Sequence, residues 1–161
     1  MAGLARRDPA EPVSPVLKRV QGLLGGPQAI GHAIATPLDA HEVLSSGLSS
    51  RSLNHLLDHL VVLRKSPSLE KAVGMSLRTY HRRKNAPAKP LSREQSGRAW
   101  KFAEILAKAT EVLGGQEAAE QWLDTPAIAL NRHRPLDLLA TPAGVAMVED
   151  LLERMDHGVY T

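Results

Sequence analysis

His55 and His59 stand four residues apart, so on a helix their imidazoles would share one face at the spacing of a metal-binding pair. Position 56 is Leu56, however, where a zinc-protease helix needs its catalytic glutamate, and no third ligand is evident. Exposed or hydrogen-bonded histidines are therefore the expected outcome. None of the serines lies in a nucleophile elbow, and the glycine pairs close helical runs instead of forming a loop that cradles phosphate. Glu149, Asp150 and Glu153 read as the outer face of a helix. Cysteine is absent, which removes disulfides and thiolate metal sites and makes a reducing compartment, the cytoplasm, the expected setting. An enzyme is thus the weakest reading, with no catalytic residue, metal or cofactor expected.

The residue types favour the binding of a polyanion instead. The net charge of +3 hides a polarity along the chain. Residues 1–63 balance. Residues 64–101 carry eleven lysines and arginines against only Glu70 and Glu94, a net +9, and residues 102–161 carry four against ten acids, a net −6. Neighbouring segments of opposite sign suggest two different partners, the first of them polyanionic. The aromatics Tyr80, Trp100, Phe102, Trp122 and Tyr160 are too scattered for a base-stacking platform, so single-strand or RNA recognition of that type is not expected.

The elements that must position these groups are helical. Residues 1–15, rich in Pro, Ala and Arg, read as a disordered lead-in, and the two arginines of Met1–Arg7 precede no apolar run of a secretory signal. Val16, Leu17, Val20, Leu23 and Leu24 recur at helical spacing up to Gly25-Gly26, and Pro27 suits the first turn of a second helix reaching Ile34. The glycines and prolines between Val20 and Leu38 argue against a membrane span. Ser49 or Ser50 caps a longer helix with a stripe of Leu53, Leu56, Leu57, Leu60 and Leu63, expected to end near Lys65. Ser92 and Gln95 have capping-box spacing and open a helix that runs to Gly114-Gly115. A short helix spans Gln116 to Leu123, an irregular stretch spans Asp124 to Pro135, and Thr141-Pro142 opens a last helix that Gly158 follows. With no strand alternation, the expected class is all-α: a disordered 1–15, a helical DNA-binding domain over 16–113 and a small helical domain over 114–161.

Within the basic segment, residues 67–84 have the grammar of a helix-turn-helix. Leu69, Ala72 and Val73 permit a close crossing, Gly74 makes the turn, and Ser76 caps a second helix. Ser76, Arg78, Thr79, His81, Arg82, Arg83 and Lys84 are the expected DNA-binding residues, of which Ser76, Arg78 and Thr79 would reach base edges, while Arg82, Arg83 and Lys84 would meet phosphates. A solvated basic helix in an ordinary bundle is the alternative.

From about His41 to Thr161 the chain resembles the Xre/MbcA/ParS antitoxin family, in which an Xre-like helix-turn-helix precedes a toxin-binding domain. The resemblance rests on Gly47-Leu48, on Gly74 to Thr79 with Arg82-Arg83, on Leu91-Ser92 with Ser96 to Arg98, and on a C-terminal signature. That signature runs from Ala119 to Leu123, through Pro126, Ala129-Leu130, Pro135 to Leu139, Thr141, Gly144, Val148 and Leu152, to His157-Gly158-Val159-Tyr160. Ala127 stands where family members often have Asn, and Asn131-Arg132 where they have glycine; Asn tolerates left-handed backbone geometry, so the loop can survive. The resemblance implies a toxin partner encoded beside the gene, most often of the RES class, which attacks NAD. It also implies homodimerisation and repression of the shared operon through operator DNA.

For the partner contact, the loop residues Asn131, Arg132, His133 and Arg134 and the tail His157, Gly158, Val159, Tyr160 and Thr161 are the expected toxin-binding residues, cheap to order against a surface and able to block a cleft. Trp122, Leu123, Leu136, Leu138 and Leu139 are expected in the core. The competing function is a stand-alone transcriptional regulator whose C-terminal half dimerises or senses a small molecule.

Overall fold

The computed structural model describes residues 12–86 and 89–158. Of the expected disordered lead-in over residues 1–15, residues 1–11 lie outside the described residues, as do the tail residues Val159, Tyr160 and Thr161, whereas Ser14 caps the first helix and Pro15 begins it. Helices follow one another as α1 (Pro15–Leu23), α2 (Gly26–Ile30), α3 (Pro37–Ser46), α4 (Ser50–Asp58), α5 (Leu69–Val73), α6 (Leu77–Arg83), α7 (Arg93–Leu113), α8 (Gln116–Leu123), α9 (Pro135–Leu138) and α10 (Pro142–Asp156), with 3-10 turns at Leu63–Lys65 and Ile128–Leu130. No strand occurs among the described residues, and the fold is all-α.

The central element is α7. Its start is fixed by Ser92, whose Oγ accepts the Gln95 amide at 3.1 Å while Gln95 Oε1 accepts the Ser92 amide at 3.2 Å, and it ends at Gly114 with φ 84°. Ala99, Phe102, Ala103, Ile105, Leu106, Ala107 and Ala109 are all buried, too many for one stripe, because α7 is enclosed by α1, α3 and α5 on the N-terminal side and by α8 and α10 on the C-terminal side. One hydrophobic core therefore runs from Val20 to Leu152 across the Gly114 turn.

Three sequence expectations are corrected. The leucine-rich helix ends at Asp58 and not near Lys65, although Leu60 and Leu63 are still buried: a turn and a 3-10 segment keep them facing inward. The second helix stops at Ile30, where Gly31 takes φ 94°, and Ile34 instead joins the core with its backbone held by the Gln21 side chain, N–H to Oε1 at 2.9 Å and C=O from Nε2 at 2.5 Å. Trp122 is only half-buried, as is Leu138, whereas Leu123, Leu136 and Leu139 are buried as expected. A helix not expected at all, α3, is capped by Thr36. Asp39 Oδ2 accepts the Ala35 and Thr36 amides, both at 2.9 Å, and these bonds hold the Asp39 carboxyl below its usual range.

Candidate functional site

The helix-turn-helix is built by α5 and α6. Gly74 joins them at φ 68°, ψ 26°, a left-handed angle that favours glycine, and the Arg98 guanidinium of α7 packs over it, 3.2 Å from where a Cβ would stand. The Arg98 guanidinium donates in turn to the Lys71 carbonyl. Ser76 Oγ accepts the Thr79 amide at 3.1 Å and donates to Thr79 Oγ1 at 2.9 Å, and Glu70 Oε1 on α5 takes the Leu77 amide at 2.8 Å. The first helix thus satisfies an orphan amide of the second and fixes the angle between them.

Beneath α6, Tyr80 is buried and its hydroxyl donates to Asp58 Oδ1 at 2.9 Å; Lys84 Nζ stands 3.4 Å from the same oxygen. Burial and the bond to Asp58 push the Tyr80 phenol up to about 12. Burial pushes the Asp58 carboxyl up, but the Tyr80 hydroxyl, with Lys84 and Arg64, outweighs it and holds the group below its usual range. This contact, which Lys84 joins, braces α6 from one side; Ser76, Arg78, His81 and Arg82 are exposed, Lys84 is exposed beside the brace, and Thr79 is half-buried. Arg83 is half-buried, and its Nη1 is covered without a hydrogen-bond partner, so it presents less of its charge than Arg78 or Arg82. His55 and His59 stack at 4.0 Å, with Nδ1 of each within bonding distance of a backbone carbonyl, Leu23 at 3.1 Å and His55 at 2.7 Å. No cluster of three or more possible metal ligands occurs among the described residues.

The C-terminal segment presents a loop locked by backbone hydrogen bonds. The Ala127 amide donates to the His133 carbonyl at 3.0 Å, the Arg132 amide to Ala127 at 2.9 Å and the His133 amide to Leu130 at 3.0 Å. Asn131 (φ 55°) and Arg132 (φ 65°) are both left-handed, the geometry that glycine gives more cheaply, and for Arg132 this costs about 1 kcal/mol. Asn131, Arg132 and His133 point to solvent. Arg134 is engaged: its Nη1 lies 3.4 Å from Asp124 Oδ1, which also accepts Ser66 Oγ at 2.8 Å. His157 and Gly158, at the end of α10, are exposed.

Glu120 is the residue that sequence reasoning did not single out. It is fully buried on α8, and its carboxylate accepts the amides of Val61 (3.0 Å), Val62 (3.1 Å) and Leu63 (3.1 Å), the stretch where the chain has left α4. Gln116 Nε2 adds a bond to Glu120 Oε2 at 3.2 Å and another to the His59 carbonyl at 3.0 Å. The signal was present: Glu120 shares the apolar face of Ala119 and Leu123.

The fold is that of a helix-turn-helix module sharing one continuous core with a second helical module that carries its own exposed loop. Comparison with known proteins gives both modules a family. Residues 39–104 match the Antitoxin Xre-like helix-turn-helix domain, and residues 108–158 match the Antitoxin Xre/MbcA/ParS C-terminal toxin-binding domain. The chain is 27% identical to Antitoxin Xre of Yersinia enterocolitica over 137 residues, covering 83% of this chain and 92% of that one. Antitoxin Xre of Pseudomonas putida is 27% identical over 87% of this chain and 82% of its own. The Prs ADP-ribosylating antitoxin of a Sphingobium strain is 28% identical over 78% and 83%. The chain belongs to the Xre antitoxin family.

Proposed function

We propose that the chain is an antitoxin that neutralises a RES-type, NAD-degrading toxin by covering its active site, and that it represses its own operon by binding operator DNA as a homodimer. The observation that carries this reading is the pairing, over one continuous core, of a braced helix whose free face is basic with a toxin-binding-domain match that contains an exposed, hydrogen-bonded loop. On this reading Arg78, with Ser76 and Thr79 at the helix start, would reach base edges and Arg82 would meet phosphates. Arg132 and His133 supply donors toward the partner, and the tail from His157 through Thr161 follows the last helix.

The test is co-expression with the product of the neighbouring gene. Co-purification, restored growth, and arrest of NAD loss in lysates are the expected results. ADP-ribose transfer to protein, without bulk NAD loss, would replace the RES assignment with the chemistry named in the Sphingobium relative. A chain that binds operator DNA but no neighbouring gene product would be a stand-alone regulator.

A further inference from the structure

Ile128 is 90% exposed, the most exposed large hydrophobic side chain among the described residues. A single surface isoleucine is ordinary, but this one is held out by construction. It begins the 3-10 turn Ile128–Leu130, and the Asn131 amide donates to its carbonyl at 3.0 Å. Leu130, two residues on, is buried and anchors the loop to the core, so the loop closes without any help from Ile128. The left-handed pair Asn131 and Arg132 keeps the turn tight at a cost in backbone energy, and the bridge between Ala127 and His133 closes its base. An apolar β-branched side chain on a pre-ordered tip loses little entropy when it is captured, which is the property of an interface anchor.

We infer that Ile128 is the apolar anchor of the partner contact, seated in a hydrophobic pocket of the toxin whose rim is acidic. The occupant follows from the place and the charge. The loop lies within the stretch matched to the toxin-binding domain. It also presents Arg132 and His133 as exposed donors in the otherwise acidic residues 102–161, while Arg134 is held by Asp124. The inference rests on the antitoxin reading above and names the contact within it.

The experiment compares the parent with Ile128→Ala, Ile128→Asp and Ile128→Met, measuring affinity for the purified neighbouring-gene toxin by calorimetry, with melting temperature and operator binding on the same samples. Because the side chain is exposed, all three variants should melt with the parent. Ile128→Ala should lose roughly 10- to 100-fold in affinity, the worth of one fully buried aliphatic side chain. Ile128→Asp should lose more, Ile128→Met should bind close to the parent, and operator binding should not change. Ile128→Asp within about twofold of the parent would overturn the inference while leaving the antitoxin reading intact. A parent chain that does not bind the toxin would overturn that reading and the inference with it. A drop in oligomeric mass for Ile128→Asp, with toxin affinity unchanged, would assign the anchor to a second copy of this chain and refute it as well.

Discussion

Replacing Glu120 by alanine removes a fully buried carboxylate that satisfies three backbone amides and one side-chain amide. The amides of Val61 to Leu63 have no helix to turn to, since α4 has ended at Asp58. A hydrogen bond to a charged group contributes about 1.5–3 kcal/mol, and a buried donor left unmet costs about 1–3 kcal/mol. Water will enter near the exposed Val61 and recover part of this, so the net loss should be about 3–5 kcal/mol. For a chain of this size that is a fall in Tm of roughly 6–20 °C. Glu120→Gln keeps one acceptor for the three amides that share Oε1 but sets a donor against Gln116 Nε2, and should cost about 1–2 kcal/mol. Urea titration followed by circular dichroism and by tryptophan fluorescence measures both losses; the two probes should give coincident transitions. An alanine variant within about 0.5 kcal/mol of the parent would refute the reasoning, because it would mean that water serves these amides as well as the carboxylate does.

Tyr80→Phe tests the brace under the recognition helix. The phenol's folded value is raised to about 12 from its ordinary 10, so the parent holds this stabilisation below pH 10 and loses it as pH rises toward 12; urea midpoints at pH 9 and pH 11.5 should fall further for the parent than for the variant. Gly144→Ala places a Cβ 1.9 Å from the Leu138 carbonyl oxygen, so α10 must move off α9; a loss of about 1–3 kcal/mol in a denaturation curve is expected, and a neutral result would mean that the two helices slide freely. Arg78→Ala with Arg82→Ala should weaken operator binding and reduce the slope of log affinity against log salt by about two units in mobility shifts, with toxin neutralisation intact.

The local signals in the sequence were strong where the chain needs only its own neighbours. Ser76, Ser92 and Thr141 all cap the helices expected of them, because a hydroxyl three residues from an orphan amide is a local event. The leucine stripe from Leu53 to Leu63 gave the correct burial but the wrong helix end, since Glu120, distant in sequence, takes the amides that a continuing helix would have used. Helix α3 has a proper cap but little stripe: only Ala40 and Val43 are buried, and Leu38 is 64% exposed, so periodicity is faint. At the candidate site, the cationic face of α6 was legible from charge and turn chemistry. Ile128 was not, because an apolar residue in a loop looks the same in sequence whether it is tucked in or held out. Arg134 likewise carried the same letter as a free cation, although Asp124 holds it.

The Glu120 clamp and the shared helix α7 also bear on how such a chain is destroyed. Neither half retains a closed core of its own: cutting the chain in the turn at Gly114 would leave α7 with one flank bare and the Val61 to Leu63 amides without their acceptor. Limited proteolysis should therefore yield no durable fragment, and a single nick by a cellular protease would remove both surfaces in one event. Under the proposed function, such a cut would release operator and toxin together.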